Sequence, residues 1–420
     1  MTYVSAIPTP ERVAVIGAGM VGLATAWFLQ ERGVEVTIYD REGVAAGSSW
    51  GNAGWLSPGI ATPLPEPAVL KYGIRAVLSP SSPVYVPPSA NPRLIKFLAG
   101  FARNSTAGRW KSAMESLVPI NRRSLDAFDA LGHGGVAGQT IEAKAFLAAY
   151  RTETQRTVLL EEIEQIHAAG QGIEFDVLSG AEARAIEPSL SDEIGAAIRL
   201  KNQRFLNPGA YMNSLADAVR NRGGKINGGA TVRDVEAGLG AVTVVTEEGS
   251  RANYDAVVLA TGAWLGDLAR KFGVRIIVQA GRGYSFSVAM ERVPTDPVYF
   301  PAQRVACTPL GDRLRLAGMM EFRAPQAPLD QRRVEAIVAA VRPLLRGADL
   351  DNRQDEWVGS RPCTRDGLPL IGVTTSPRVF AAGGHGMWGI TLGPVTGQLL
   401  AETITTGSQP AELAPFDPLR

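Results

Sequence analysis

The chain has 420 residues with 42 basic and 41 acidic side chains, which gives a formal net charge of +1. This balance excludes attraction to nucleic acid by bulk charge, and a hydrophobic fraction of 45% excludes a disordered chain. Two cysteines cannot form a disulfide framework, and the three histidines lack metal-ligand spacing, so we predict no metal site. The length indicates two lobes.

The first residues lack the charged and apolar regions of a signal peptide, and no apolar run is long enough for a membrane span. We therefore expect a cytoplasmic protein.

A β–α–β unit opens the regular structure. The apolar segment 12–16 predicts a buried parallel strand. Helical spacing of apolar residues over 23–32 predicts a helix that ends at Gly33, and 34–39 predict a second strand closed by Asp40.

The turn between the first strand and the helix reads Gly-x-Gly-x-x-Gly. Glycines at these positions allow a tight turn, a close approach of backbone to a pyrophosphate and close packing of helix on strand. The helix N-terminus would face the phosphates, and an acid after the second strand would accept the ribose hydroxyls. We predict a dinucleotide site that includes Gly17, Gly19, Met20, Val21, Gly22, Asp40 and Arg41.

The middle of the chain alternates helical and strand-like patterns. A Pro- and Ser-rich stretch over 56–96 predicts an irregular excursion, and 141–150 predict a strand pair. We predict helices over 93–104, 112–131, 154–169, 181–186, 208–222 and 331–345, and strands over 231–236, 241–247, 282–288 and 313–317.

Two features favour FAD over NAD as the dinucleotide. A late apolar strand runs into Thr261 and Gly262, as in flavoproteins whose chain returns to the nucleotide lobe. Residues 379–404 predict a strand, a glycine-rich loop and a helix, which form a second cradle of backbone N–H groups for the flavin carbonyls.

Three segments carry a resemblance to a known family: 13–40, 47–59 with its Asn-Ala-Gly and Ser-Pro-Gly steps, and 359–372 with the following 384–397. In these segments the chain resembles the FAD-dependent D-amino-acid oxidase superfamily, and within it the small-subunit type of bacterial D-amino-acid dehydrogenase. The resemblance covers essentially the whole chain.

The resemblance implies an α/β fold of the glutathione-reductase type, in which a Rossmann-like FAD-binding lobe (1–65, 200–270 and 358–420) is interleaved with an α+β substrate-binding lobe (66–199 and 271–357). It implies further contacts to FAD from two loops and from a backbone position beside adenine. These residues are Ser48, Ser49, Asn52, Ala53, Gly54, Trp55, Leu56, Val232, Gly384, Gly386, Met387, Trp388, Gly389 and Thr391.

The chemistry that the resemblance implies is hydride transfer from a substrate Cα–H to flavin N5. Arg361, in a Gly-x-Arg-Pro motif, would clamp the substrate carboxylate through its planar fork. The family's carboxylate-binding Tyr is replaced here, because Ala306 lies near that position. Tyr284 is the substitute that we predict, with a buried structural Tyr as the alternative. His385 is a third candidate, for tuning charge beside the flavin, and Glu321 a weaker one, for attracting an amine.

Several alternatives stay open. The substrate is a D-amino acid in the favoured interpretation, and glycine, sarcosine, hydroxyproline or a similar amine in the second; a non-catalytic flavin-binding subunit is the alternative from another class. The electron acceptor is a quinone, a respiratory carrier or oxygen. Residues 84–110 interleave apolar and basic side chains, which favours packing over the substrate lobe, with peripheral contact to the inner membrane as the alternative.

Overall fold

The computed structural model describes residues 9–67, 79 and 81–420, so part of the predicted irregular excursion over 56–96 lies outside the described residues. The strands, in chain order, are β1 (Arg12–Ile16), β2 (Glu35–Asp40), β3 (Trp55–Leu56), β4 (Val84–Tyr85), β5 (Ile141–Ala143), β6 (Phe146–Tyr150), β7 (Phe175–Ser179), β8 (Ala196–Leu200), β9 (Gln203–Phe205), β10 (Lys225–Gly228), β11 (Val232–Ala237), β12 (Val242–Thr246), β13 (Arg251–Tyr254), β14 (Ala256–Leu259), β15 (Gln279–Ala289), β16 (Val298–Phe300), β17 (Val305–Leu310), β18 (Arg313–Phe322), β19 (Gln354–Cys363), β20 (Leu370–Val373) and β21 (Val379–Gly383).

The helices are α1 (Met20–Glu31), α2 (Pro92–Asn104), α3 (Ala107–His133), α4 (Glu153–Ala168), α5 (Gly180–Ile186), α6 (Pro208–Asn221), α7 (Leu265–Ala269), α8 (Gln331–Val341) and α9 (Gly389–Thr406). Five of them begin at a side chain that accepts a backbone N–H of the first turn, as helix caps do; these caps are Asn91, Thr152, Ser179, Asn207 and Asp330. α1 and α9 begin without such a side-chain cap. Their N-terminal N–H groups are therefore left for partners outside the helix, and Ser49 Oγ accepts that of Met20.

A sheet with strand order β10-β2-β1-β14-β21-β20 forms the first lobe. Its strands pair in parallel, except that β20 pairs with β21 in antiparallel fashion. β1 lies between β2 and β14, so the glycine turn that follows β1 is at the carboxyl edge of the sheet, where this fold class places its ligands. α1, α6 and α9 share one buried core with this sheet.

A larger sheet, β19-β15-β18-β17-β16-β6-β8-β7, forms the second lobe, and β4 pairs with β18 at its side. Side chains of β15 alternate between its two faces. Tyr284 and Phe286 pack in a core with Val334 and Ile337 of α8. The opposite face turns toward the first lobe, because Ser285 Oγ donates to the carbonyl of Gly51.

Two predictions of secondary structure need correction, and one strand that carries a site residue was not predicted. The strands within 141–150 do not pair with each other: β5 pairs with β9, and β6 pairs with β8 and β16. The helix predicted over 331–345 ends at Val341. The strand β19, which carries Arg361, has no counterpart among the predicted elements. β19 belongs to the larger sheet, although the predicted lobe boundary at 358 falls inside it; the division into lobes otherwise stays a prediction.

A buried ionic cluster stabilises the second lobe on the α8 face. Arg282 and Glu321 are both 0% exposed and form an ion pair at 3.2 Å. The Tyr284 hydroxyl donates to the same carboxylate oxygen at 2.5 Å, and Arg323 approaches the other oxygen. Arg282 also donates to the carbonyl of Pro328, and this hydrogen bond connects the cluster to the loop after β18.

We predict that Glu321→Ala lowers the free energy of unfolding by about 3–5 kcal/mol, because it leaves a buried guanidinium without its carboxylate. Glu236→Ala, which removes the exposed pair with Arg251, should cost no more than about 1 kcal/mol. Equilibrium urea unfolding followed by tryptophan fluorescence measures both. Equal losses in the two variants would contradict the assignment of the cluster as a buried structural network.

Candidate functional site

One cavity of about 840 Å³ is lined by residues of both lobes. Its size is in the range of small-molecule sites. Most of the site residues predicted from the sequence line this cavity. They are Gly17, Gly19, Met20, Val21, Asp40, Arg41, Ser48, Ser49, Asn52, Val232, Thr261, Gly262, Arg361, His385, Gly386, Met387 and Gly389.

The glycine turn after β1 has the geometry that a pyrophosphate requires. Gly17 has φ +115°, a conformation that side chains rarely adopt, and a Cβ there would overlap the carbonyl oxygen of Ala260. A Cβ at Gly22 would overlap the carbonyl oxygen of Gly17, so Gly22 supports the turn from behind and does not line the cavity. Ser49 Oγ accepts the N–H of Met20 at 3.2 Å and joins the 47–51 loop to the start of α1.

Asp40 has a double role at this end of the cavity. One carboxylate oxygen accepts the N–H of Ala18 at 2.8 Å, inside the glycine turn. The other accepts the N–H groups of Glu42 and Gly43, each at 2.9 Å. These bonds fix the turn and the acid together, and the oxygen that bonds Ala18 keeps one lone pair as an acceptor for a ribose hydroxyl.

The loop before α9 forms the second cradle. The N–H of Gly386 donates to the carbonyl of Pro362 at 2.9 Å, which joins this loop to β19. His385 is 3% exposed and its Nε2 lies 2.9 Å from Thr396 Oγ1. Burial lowers the pKa of His385 to about 4, so its imidazole is neutral near pH 7 and adds no charge to the cavity.

Two buried polar atoms in the cavity wall fit a cofactor there. Thr261 Oγ1 and Trp264 Nε1 have no hydrogen-bond partner among the described residues, and both residues line the cavity. A buried polar atom without a partner is costly unless a ligand or water meets it. Arg41 stacks on the Trp264 ring, with its Cζ 3.7 Å from the ring centroid. With the two glycine cradles, these groups fit FAD.

Arg361 is the cation of the cavity on the β19 side. Its Nη1 donates to the carbonyl of Met319 at 2.7 Å, and Arg361 forms no ion pair within the described part of the chain. Its guanidinium lies over Gly283, where any Cβ would overlap Cζ and both terminal nitrogens. Burial lowers the pKa of Arg361, yet a guanidinium keeps its proton in proteins. The cavity wall therefore contains a positive charge that has no carboxylate partner among the described residues.

Several predicted residues do not line the cavity. Trp55 donates its indole N–H to Thr308 Oγ1, Trp388 donates its own to the carbonyl of Thr62, and Thr391 donates to the carbonyl of Trp55. Leu56 is fully buried in the core of the first lobe. The group without direct cavity contact consists of Gly22, Ala53, Gly54, Trp55, Leu56, Gly384, Trp388 and Thr391.

Tyr284 is not at the cavity, which corrects its assignment as a substitute for the family's carboxylate-binding Tyr. It is 1% exposed, packs on the α8 face of the sheet and donates to Glu321. Glu321 lies on that same face, so it does not attract an amine in this cavity. The reason is the strand alternation: Arg282, Tyr284 and Glu321 share one face, whereas Gly283 and Arg361 share the other.

The sequence reasoning missed cavity residues of three kinds. Arg233 follows Val232, and Trp264, Asp267 and Leu268 follow the Thr-Gly turn, so their nearness to predicted residues was an available signal. Pro325 and Gln326 come from the loop after β18, where no motif marks a site.

The described part of the chain contains no helix that is long and apolar enough to span a membrane, and no group of side chains suited to hold a metal ion.

Comparisons with known proteins agree with this geometry. A sequence model of the DAO family, described as FAD dependent oxidoreductase, matches residues 12–403. Glycine oxidase from Geobacillus kaustophilus has a similar solved structure, with 23% identity, coverage of 98% of this chain and 99% of that chain, and a TM-score of 0.76. L-proline dehydrogenase from P. horikoshii is similar at 19% identity, with 98% of each chain covered and a TM-score of 0.68.

We predict that Asp40→Ala weakens FAD binding by about 1–3 kcal/mol, because it removes acceptors for the glycine turn and for the ribose together. The matched control is Glu35→Ala at the exposed start of the same strand, which should leave the affinity unchanged. Titration of apoprotein with FAD, followed by flavin fluorescence, gives both dissociation constants. An unchanged affinity in Asp40→Ala would show that the acid does not serve the cofactor.

Proposed function

Because the chain belongs to the DAO family of FAD-dependent oxidoreductases, we propose that it oxidises the Cα–N bond of a D-amino acid. The product is an imino acid, which water hydrolyses to a 2-oxo acid and ammonia. The observation that carries the proposal is Arg361, a cation without an ion-pair partner among the described residues, in the wall of the cofactor cavity.

A carboxylate is the anion that fits this guanidinium best. The planar fork offers two parallel N–H donors, and such charge-assisted pairs are about twice as strong as neutral hydrogen bonds. Gly283 leaves the space that the guanidinium fills, and Met320 lies against it, with Sδ 3.9 Å from Nη1. A low-polarity surrounding strengthens a matched ion pair and makes the unpaired state costly.

FAD, when bound, supplies the hydride acceptor. The protein's own contribution is orientation: the clamp fixes the substrate carboxylate, and a fixed carboxylate limits which Cα substituent points toward the cofactor. His385 is uncharged, so it does not compete for the carboxylate. Preference for the D-enantiomer is supported by the resemblance in the 359–372 and 384–397 segments.

The second candidate is another small amine. It is favoured by the similar structures, whose names include glycine oxidase and iminodiacetate oxidase, and by the absence of Tyr284 from the cavity wall. The electron acceptor and a cytoplasmic location stay predictions from the sequence.

We predict that a D-amino acid reduces the bound FAD under anaerobic conditions and that its L-enantiomer does not. The reason is that, once the carboxylate is clamped and the Cα–H points toward the cofactor, the two enantiomers exchange the positions of amino group and side chain, and a site shaped for one order excludes the other. Loss of the flavin absorbance band, recorded with enantiomer pairs, glycine, sarcosine and hydroxyproline, measures the preference. Reduction by glycine or sarcosine alone would replace the D-amino-acid proposal with the second candidate.

We predict that Arg361→Ala keeps FAD binding but lowers the rate of reduction at low substrate by at least about a hundredfold, because a charged partner to a carboxylate in a sheltered site is lost. Arg361→Lys should recover part of the rate, since an ammonium keeps the charge and loses the fork. Arg365→Ala, at an exposed position on the same segment, serves as the control.

Substrate amides complete this test. The wild-type protein should discriminate strongly against a substrate whose carboxylate is replaced by an amide, and Arg361→Ala should discriminate hardly at all. Equal discrimination by both proteins would show that Arg361 is structural.

A further inference from the structure

We propose that Met319 is a positioning residue for Arg361: its backbone carbonyl, which a β-bulge turns toward the guanidinium, holds that cation in place without neutralising its charge. The proposal deepens the proposed function and rests on it, because the role of the guanidinium there is to bind a substrate carboxylate. Met319 belongs to β18 and does not itself line the cofactor cavity.

The bulge interrupts the pairing of β15 with β18. The register differs by one residue on the two sides of Gly283, so Gly283 is opposed by two residues of β18, Met319 and Met320. β18 also changes its second partner here, since its pairing with β17 ends at Gly318 and its pairing with β4 begins at Met320. A bulge of this kind redirects the groups that it contains.

Met319 has a backbone conformation that residues with a long side chain rarely adopt. Its φ is +65°, in the left-handed region, and such a conformation persists where the surroundings hold it. The peptide group after it is held at both ends: the Met319 carbonyl accepts Arg361 Nη1 at 2.7 Å, and the Met320 N–H donates to the carbonyl of Pro83 at 2.7 Å. These two bonds direct the negative end of the peptide dipole at the guanidinium.

The guanidinium reaches this carbonyl across a gap that β15 leaves open. β15 lies between β19, which carries Arg361, and β18. A Cβ at Gly283 of β15 would lie 2.3 Å from Cζ and 2.3 Å from Nη2 of Arg361. Among the described residues, the Met319 carbonyl is the one oxygen that the guanidinium bonds, so the rest of its five donors stay available to a ligand.

The bulge also decides on which face of the sheet the acid of β18 lies. A Cβ at Gly318 would contact α8, and the next side chain, that of Met319, packs in the same α8 core. Strict alternation from Gly318 would place Glu321 on the face of Arg361. The extra residue places Glu321 on the α8 face, where it pairs with Arg282. The bulge thereby keeps this carboxylate away from the clamp.

A carbonyl suits a clamp better than an internal carboxylate does. A carboxylate would neutralise the guanidinium and occupy its fork, whereas a carbonyl accepts one hydrogen bond and leaves the positive charge. A side chain that is held before the ligand arrives also loses less freedom on binding. The affinity for a substrate carboxylate therefore depends on the orientation of the peptide after Met319.

Two substitutions of Met319 separate its backbone role from its packing in the core. Met319→Ile keeps most of the side-chain volume, but a β-branched residue disfavours positive φ; Met319→Gly removes the side chain and adopts positive φ readily. FAD-loaded proteins are titrated with butanoate, which lacks an α-amine and so binds without reducing the flavin, and the shift of the flavin absorbance band gives the dissociation constants. We expect Met319→Ile to weaken butanoate binding by about tenfold or more, and Met319→Gly by less than about threefold.

A purely structural role predicts the opposite order, because Met319→Gly leaves the larger cavity in the core. Val334→Ala is the matched control, since Val334 is fully buried in the same core. It should lower the urea midpoint of unfolding and leave the affinity for butanoate unchanged. The affinity for FAD, from flavin fluorescence, should be the same in all these variants.

Gly283→Ala supplies a second test that does not depend on the folding of Met319→Ile. The new Cβ would overlap only the end of the Arg361 side chain, so the guanidinium moves away from the Met319 carbonyl and the strand keeps its place. We expect butanoate to bind about tenfold or more weakly and FAD to bind as in the wild type. Unchanged butanoate binding in this variant would contradict the proposal.

The outcomes also separate this proposal from the proposed function. If Met319→Gly loses more butanoate affinity than Met319→Ile, or if both keep the wild-type affinity, the positioning role is wrong and the carboxylate clamp stands. If the wild-type protein binds no carboxylate and no amino acid reduces its flavin, the proposed function itself fails.

Discussion

The site depends on one arginine, Arg361, which lies in the wall of the cavity between the two lobes and has no carboxylate partner among the described residues. Arg361 is held in place by backbone, through the carbonyl of Met319 and through the space that Gly283 leaves for its guanidinium. Proteins seldom leave a charge in a sheltered site unpaired, because the desolvation cost is large. We propose that a substrate carboxylate completes the ion pair.

Direct contacts between the lobes give this arginine a fixed relation to the cofactor cradles. Ser285 Oγ on β15 donates to the carbonyl of Gly51, and Arg315 on β18 donates to the carbonyl of Trp50 at 2.9 Å. Both acceptors lie in the loop that continues from Ser49, which contacts the N-terminus of α1. On the other side, the N–H of Gly386 bonds the carbonyl of Pro362 beside Arg361. The clamp and both cradles are thus connected through short hydrogen-bonded paths, as positioning of a substrate against a cofactor requires.

Much of the cofactor site could be predicted from sequence, because its signals are local. The glycine turn, the acid at the end of β2 and the Thr-Gly turn after β14 each depend on a few adjacent residues whose backbone roles are specific. The sheet face on which a strand residue's side chain lies could not be predicted, because it depends on the register with partner strands that are far away in sequence. In the pairing of β15 with β18, Glu321 lies opposite Arg282, so Arg282 and Tyr284 lie on the α8 face. No local sequence pattern predicts that pairing.

The central claim is tested most directly by a crystal structure of the FAD-loaded protein with a carboxylate ligand that cannot be oxidised. We predict that both carboxylate oxygens lie about 2.7–2.9 Å from terminal nitrogens of Arg361, the distance of charge-assisted N–H···O bonds, with the ligand between the guanidinium and the cofactor. A ligand that binds beside the cofactor with its carboxylate turned away from Arg361 would contradict the account.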